Sequence, residues 1–249
     1  MEMEDDYLKN TQIGNQLQTN IFYKIGEISL VFLSAFIVIK VFEPLIQDNP
    51  IMKQGVIWSA NILMLFIVWM GMKLRGESLQ DFGLSFKMVS WKEGLKIFGL
   101  SLLVLALAII GFIIGSIIMA NITGIPESSD LSNYDYLKGN IGMFLLTLGG
   151  VFIVSSFGEE FIYRAFLINR ISQLGLSART GKIAAIVLSS IIFGLAHFEW
   201  GLVGIVQTGF MGLALGICYI KFKKRLWILI LAHVYMDTIL LLPLYLAAN

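Results

Sequence analysis

Long apolar runs alternate with short polar turns along most of the chain. A helix of about 20 apolar residues crosses the hydrocarbon core of a bilayer. Seven stretches meet that length within a few residues: 25–46, 55–73, 94–120, 141–171, 183–198, 202–220 and 226–246. The fourth is long enough to tilt or to run past the bilayer. The fifth is short and is expected to stop below the far surface. The third carries Gly111 and Gly115, where a break is conceivable. Neither a period-2 strand pattern nor an internal repeat competes with this reading. The expected fold class is therefore all-α, a polytopic transmembrane helix bundle of about seven spans. Residues 1–24 read as a polar leader, 25–140 as N-terminal spans and 141–249 as a core that carries the chemistry.

Composition supports the membrane reading. Charged residues are 14% of the chain and hydrophobic residues 57%, whereas soluble domains carry about 25% charged residues. Most of the surface must face something other than water, so the lipid bilayer is an expected partner. A net charge of +1 leaves no basic footprint, and no nucleic-acid partner is expected. The polar start of the chain lacks the basic and apolar regions of a signal peptide. The lone Cys218 permits no disulfide within the chain.

Basic residues set the expected orientation. The connections after the second, fourth and sixth spans hold Lys73, Arg75, Lys87, Lys92, Lys96, Arg170, Arg179, Lys182, Lys221, Lys223, Lys224 and Arg225. The alternate connections hold only Lys53 and Lys138, with Glu43, Asp48, Glu127, Asp130, Asp135 and Glu199. That asymmetry places the N-terminus in the cytoplasm.

Ionisable groups inside the spans are costly, so they pair or perform chemistry. The set here is Glu159, Glu160, Arg164, His197, His233 and Asp237, with Glu27 and Lys40 nearer the ends of the first span. Both histidines of the chain belong to it. Glu160 and Arg164 stand four apart and pair along one helix face. Glu159 would be turned about 100° from Glu160 on an α-helix, on a stripe with Ser155 and Tyr163. That leaves Glu159 without a local counter-ion and makes it the better general base. His233 and Asp237 share one face of the last span, as Phe193 and His197 share one face of the fifth. Counting about 1.5 Å of rise per residue from the basic boundary puts Glu159 some 16 Å deep, His197 22 Å, and His233 and Asp237 12 and 18 Å. Gly204, Thr208, Gly212 and Gly216 form a small-residue face on the sixth span, expected to hold the fifth and seventh.

Several intramembrane chemistries fail on residues. A zinc peptidase needs His-Glu-x-x-His, which is absent. An aspartyl enzyme needs two aspartates, and Asp237 is the only one within a span. Ser155-Ser156-Phe-Gly does not fit a rhomboid-like nucleophile. A water-activating site of Glu and His remains. No cofactor is assigned, although Glu159, His197 and His233 leave a divalent metal open.

Glu159-Glu160-x-x-x-Arg164, Phe193-x-x-x-His197 and His233-x-x-x-Asp237, in that order, resemble the motifs of the CAAX-protease and bacteriocin-processing family, also called the abortive-infection family of intramembrane endopeptidases. The stretch Arg75-Gly-Glu-Ser-Leu-Gln-Asp-Phe-Gly-Leu84 resembles a loop common in its bacterial members. The resemblance implies an endopeptidase of a bacterial cell membrane that cuts a peptide or membrane-protein substrate. It implies that Glu159 and His197 activate water and that His233 and position 237 stabilise the oxyanion, with Glu160, Arg164 and Phe193 as support. Position 237 is Asn in prenyl-protein peptidases of the family; Asp237 would donate there only when protonated, and would otherwise orient His233. Two other classes compete: a non-catalytic binding or bacteriocin-immunity protein on the same fold, and a proton-coupled transporter. A transporter would be expected to show inverted repeats.

Overall fold

The computed structural model describes residues 12–46, 49–124, 132–176 and 178–247. Asp48, Glu127 and Asp130, counted above on the acidic side, lie outside the described residues. The part of the leader that is described forms a short helix, α1 (Gln12–Thr19), with Gly14 and Leu17 buried. Among the described residues, seven helices are long and apolar enough to cross a membrane. They are α2 (Ile21–Ile46), α3 (Pro50–Arg75), α4 (Trp91–Thr123), α5 (Ile141–Ser172), α6 (Ala178–Leu195), α7 (Gly201–Lys221) and α8 (Leu226–Leu246). This is a multi-pass integral membrane protein with an all-α bundle. Apolar side chains such as Leu33, Phe36, Ile113 and Ile117 face outward, as lipid contact requires.

Local chemistry sets the helix ends. Asn49 accepts hydrogen bonds from the Ile51 and Met52 amides, and Pro50 supplies the first residue of α3. Gly76 ends that helix at φ 66°, where a side chain would be strained. Asn140 caps α5 by accepting from the Met143 amide at 3.1 Å. α4 is continuous over 33 residues. Gly111 and Gly115 do not break it; they let α7 approach. A Cβ at Gly111 would stand 2.6 Å from the Phe210 carbonyl oxygen, and one at Gly115 2.8 Å from the Gln207 Cα. α7 therefore packs chiefly on α4 and α6, and only lightly on α8. Its small face holds α6 as expected, but its other main partner is α4 in place of α8. Chain neighbours need not be space neighbours when an earlier helix offers a closer-fitting glycine face.

The turns alternate between two ends. At one end Arg170 meets Glu77, Arg225 meets Glu93, and Lys24 Nζ donates to the Gln173 carbonyl at 3.1 Å. This is the basic end. At the other, Lys53 pairs with Glu199 at 3.1 Å and the Gly139 amide donates to the Tyr245 carbonyl.

Two of the basic residues counted for orientation are buried, not solvated. Arg75 lies 2.5 Å from Glu27, and Arg170 lies 3.2 Å from the same carboxylate. Arg170 also forks onto Glu77 at 2.8 and 2.5 Å. Gly71 leaves the room that Glu27 fills, since a Cβ there would meet the Glu27 carboxylate. The segment after α3 is tied into this end. Phe82 and Leu84 are buried. The backbone amide and hydroxyl of Ser78 hold the exposed Asp81 carboxyl below its usual range.

Candidate active site

α5 is not wound uniformly. Residues Phe152–Ile168 form a π-helix, between α-helical Ile141–Val151 and Asn169–Ser172. A π-helix closes i→i+5 hydrogen bonds; it is rare, and is frequently found at functional sites. Its wider turn rotates each residue less than an α-helix does. Glu159 still lines up with Ser155 and Glu160 with Arg164, as their spacing predicts. Both carboxylates reach the same imidazole on α8.

His233 is the centre of the cluster. Its Nδ1 lies 2.9 Å from Glu160 Oε1. Its Nε2 lies 3.9 Å from Glu159 Oε2 and 3.9 Å from Asp237 Oδ1. With the Nδ1 proton donated to Glu160, the ring is fixed and Nε2 faces the space between the other two acids. Ser155 Oγ donates to Glu159 Oε1 at 3.1 Å, and Ser156 Oγ donates to Asp237 Oδ2 at 2.6 Å. Adjacent serines thus hold one carboxylate each. Ser156 was missed at the sequence level because a serine in an apolar helix usually bonds its own backbone.

Arg164 lies 3.4 Å from Glu160 through Nε. Its two terminal nitrogens make no hydrogen bond. The guanidinium instead lies over the Phe193 ring, 4.1 Å from the centroid, a cation–π contact. A Cβ at Gly212 would stand 2.9 Å from that ring and 3.6 Å from the guanidinium. The small face of α7 therefore presses the Arg164–Phe193 pair toward the cluster.

His197 sits apart. α6 ends at Leu195, short of the expected 198, and His197 lies in the turn beyond it rather than inside the span. Its Nδ1 donates to the Phe193 carbonyl at 2.8 Å, which leaves Nε2 as the free lone pair. The ring stacks edgewise on Phe193 at 4.8 Å and near Trp200 at 5.0 Å. Phe193 in turn contacts Tyr163 at 5.0 Å. Among the described residues no hydrogen bond or ion pair joins His197 to Glu159. The structure thus gathers Glu159, Glu160, Arg164, His233 and Asp237 directly, and brings His197 to their edge through Phe193.

A family model described as type II CAAX prenyl endopeptidase Rce1-like matches residues 141–239. That is the CAAX-protease family which the three motifs resemble. All three motifs fall inside the matched segment. The CAAX-protease family is a peptidase family. No curated protein and no solved structure matches the chain. In CAAX-protease terms, the matched segment is α5 to α8, and it does not stand alone. α3 packs on the π-helix, and α4 packs on α7 and α8. Among the described residues, no three His, Cys, Asp or Glu side chains are grouped to hold a metal ion.

Proposed function

We propose that the protein is an intramembrane endopeptidase that hydrolyses a peptide bond of a membrane-associated peptide or protein. The observation that carries this reading is the meeting of Glu159, Glu160, His233 and Asp237 in one cluster, inside the segment that matches a peptidase family. Glu159 takes a proton from a water held between it and His197 Nε2. The hydroxide attacks the peptide carbonyl carbon, and the carbonyl π pair moves to oxygen. His233, protonated at both nitrogens, donates from Nε2 to that oxyanion. Collapse breaks the C–N bond, and the proton held by Glu159 passes to the leaving amine. General-base help of this kind gives about 10²–10⁴-fold in rate. One well-aimed oxyanion donor gives about 10²–10³-fold.

Glu160 fixes the His233 ring, so Asp237 is not needed for that; it serves the oxyanion only as the protonated acid. We assign no metal to the reaction. Turnover should survive strong chelation, and inactivation with rescue by zinc would convert Glu159, His197 and His233 into ligands. The exposed lysines of the basic end support a cytoplasmic N-terminus; a bacterial cell membrane rests on the resemblance alone. A reporter fused after Arg225 should then be cytoplasmic.

The gap between His197 and Glu159 favours a second reading, a binding or immunity protein that keeps the cluster without turnover. Catalytic hydrogen bonds often close only around substrate. Purified protein in detergent, offered candidate membrane peptides, separates the two. The peptidase reading expects cleavage that Glu159→Gln abolishes. Peptide binding without cleavage by the unaltered protein would support the second.

A further inference from the structure

Exposure changes in the same direction along two antiparallel helices. α5 runs toward the basic end and α8 runs away from it. On α5, Glu159 keeps 16% of its side-chain surface open, while Glu160 and Arg164 keep 0% and 1%. On α8, Asp237 keeps 15% and His233 5%. In each case the group nearer the non-basic end is the more open. Beyond them, toward the basic end, α5 is buried from Glu160 through Ile171, as are Leu226, Ile228, Leu229 and Ile230 of α8.

The basic end is closed by the segment that follows α3. Glu77 is clamped on Arg170. Phe82 packs against Phe161, its carbonyl accepts from the Tyr219 hydroxyl at 3.3 Å, and the Gly83 carbonyl accepts from the Leu226 amide at 3.1 Å. Trp227 Nε1 donates to the Ser85 carbonyl at 2.8 Å. Gly83, at φ 82°, lies so close to the Lys224 carbonyl that no side chain fits between them. One segment thus spans α5, α7 and α8, including both helices that carry the cluster.

The non-basic end is different. His197 and Trp200 stand in the turn between α6 and α7, beside the Lys53–Glu199 pair. Tyr134 belongs to the 3-10 turn Ser132–Leu137 that precedes α5. Burial pushes its phenol up, and Tyr136 and the charges of Asp237 and Glu199 add to that. The ring is partly buried against Leu137, Phe144 and Leu241, where the turn packs on α5 and α8 on the non-basic side of Asp237.

We infer that the substrate enters the cluster from the non-basic end, through a mouth formed by Tyr134, His197, Trp200 and the Lys53–Glu199 pair, and that the basic end is shut to it. The rim fits an extended peptide segment. It offers aromatic faces for side chains and a paired acid and base for peptide polar groups. The direction of entry rests on geometry; only the peptide nature of the entrant rests on the peptidase reading.

Cysteine labelling tests it. In a Cys218→Ala background, Ser155→Cys and Asp237→Cys probe the cluster from α5 and α8. Lys138→Cys marks the non-basic end and Lys87→Cys the basic end; both lysines are exposed. With the protein in oriented proteoliposomes, a membrane-impermeant maleimide should reach both probes from the side that labels Lys138→Cys. Labelling of either folded probe from the Lys87→Cys side, or of neither from either side, overturns the inference. Tyr134→Ala should raise the labelling rate several-fold, and an unchanged rate removes Tyr134 from the mouth. Labelling as expected without cleavage of any added peptide keeps the entrance and rejects the peptidase reading.

Discussion

At the basic end of the bundle, Arg75 and Arg170 face Glu27 and Glu77; further along α5, Arg164 and His233 face Glu159, Glu160 and Asp237. The first cluster has two guanidiniums for two carboxylates and bidentate geometry. The second has three carboxylates for one guanidinium and one imidazole. Its Arg164–Glu160 contact is 3.4 Å, against 2.5 Å for Arg75–Glu27. Unbonded atoms occur in both, Glu27 Oε1, Arg75 Nε and Arg170 Nε in the first and Glu159 Oε2, Glu160 Oε2 and both terminal nitrogens of Arg164 in the second, so charge balance and contact distance carry the difference. A balanced, forked network holds helices together. An acid-rich, loosely paired one holds them less well but leaves groups able to move protons. Burial alone does not separate the two roles; charge balance and residual openness do.

Substitutions can break this comparison from either side. The largest effect is expected at Glu159→Gln. Turnover should fall by about 10²–10⁴-fold or more, while the detergent melting temperature holds or rises, because one surplus negative charge is removed. A parallel loss of folded protein would put Glu159 in the structural class.

Arg170→Ala should do the reverse. It strands Glu77 and leaves Glu27 with Arg75 alone, and breaking a buried pair costs about 3–5 kcal/mol. Folded yield should collapse, as read by size exclusion and thermal melting. A stable Arg170→Ala protein would show that the basic-end network is not what holds the bundle.

Asp237→Asn sharpens the assignment within the second cluster. Glu160 already orients His233, so activity should stay within about tenfold, the scale of one modest hydrogen bond. A far larger fall would mean that the carboxylate, not Glu160, sets the imidazole.

The smallest effect is expected in the turn between α7 and α8, where Lys223 and Lys224 hold φ of 55° and 60°. Lys223 is exposed. Left-handed backbone costs a non-glycine residue about 1–2 kcal/mol, partly offset by the freedom glycine adds to the unfolded chain. Lys223→Gly should shift stability upward by no more than about 1 kcal/mol, without touching activity. A loss of stability there would mean that the lysine side chain itself contributes.

The seven spans were legible because lipid demands long apolar runs and the turns between them are polar; α8 was placed to the residue. The motif residues were legible because charge is rare in such runs, so Glu159, His233 and Asp237 stood out. The same rule did not reveal that Arg75 and Arg170, counted at the basic end, are buried there. At a helix end, a solvated arginine and one buried on a distant glutamate look alike in sequence, and Glu27 and Glu77 lie far from Arg170 along the chain. His197 was taken as part of its span because nothing in Ala196-His197-Phe198 punctuates a helix.

What the amino-acid order determined by itself is what depends on near neighbours: hydropathy, helix length, capping by Asn49 and Asn140, and the rarity of buried charge. The tertiary structure decided what depends on distant partners. The packing of α8 on α5 brings Glu159 and Glu160 to the two nitrogens of one imidazole. The glycines of α4 choose α7 as their partner. Glu160, not Asp237, accepts the hydrogen bond from His233 Nδ1. Each of these follows from which surfaces meet once the helices pack, and a pair such as Glu160 and His233, 73 residues apart, leaves no local periodicity from which that meeting could be read.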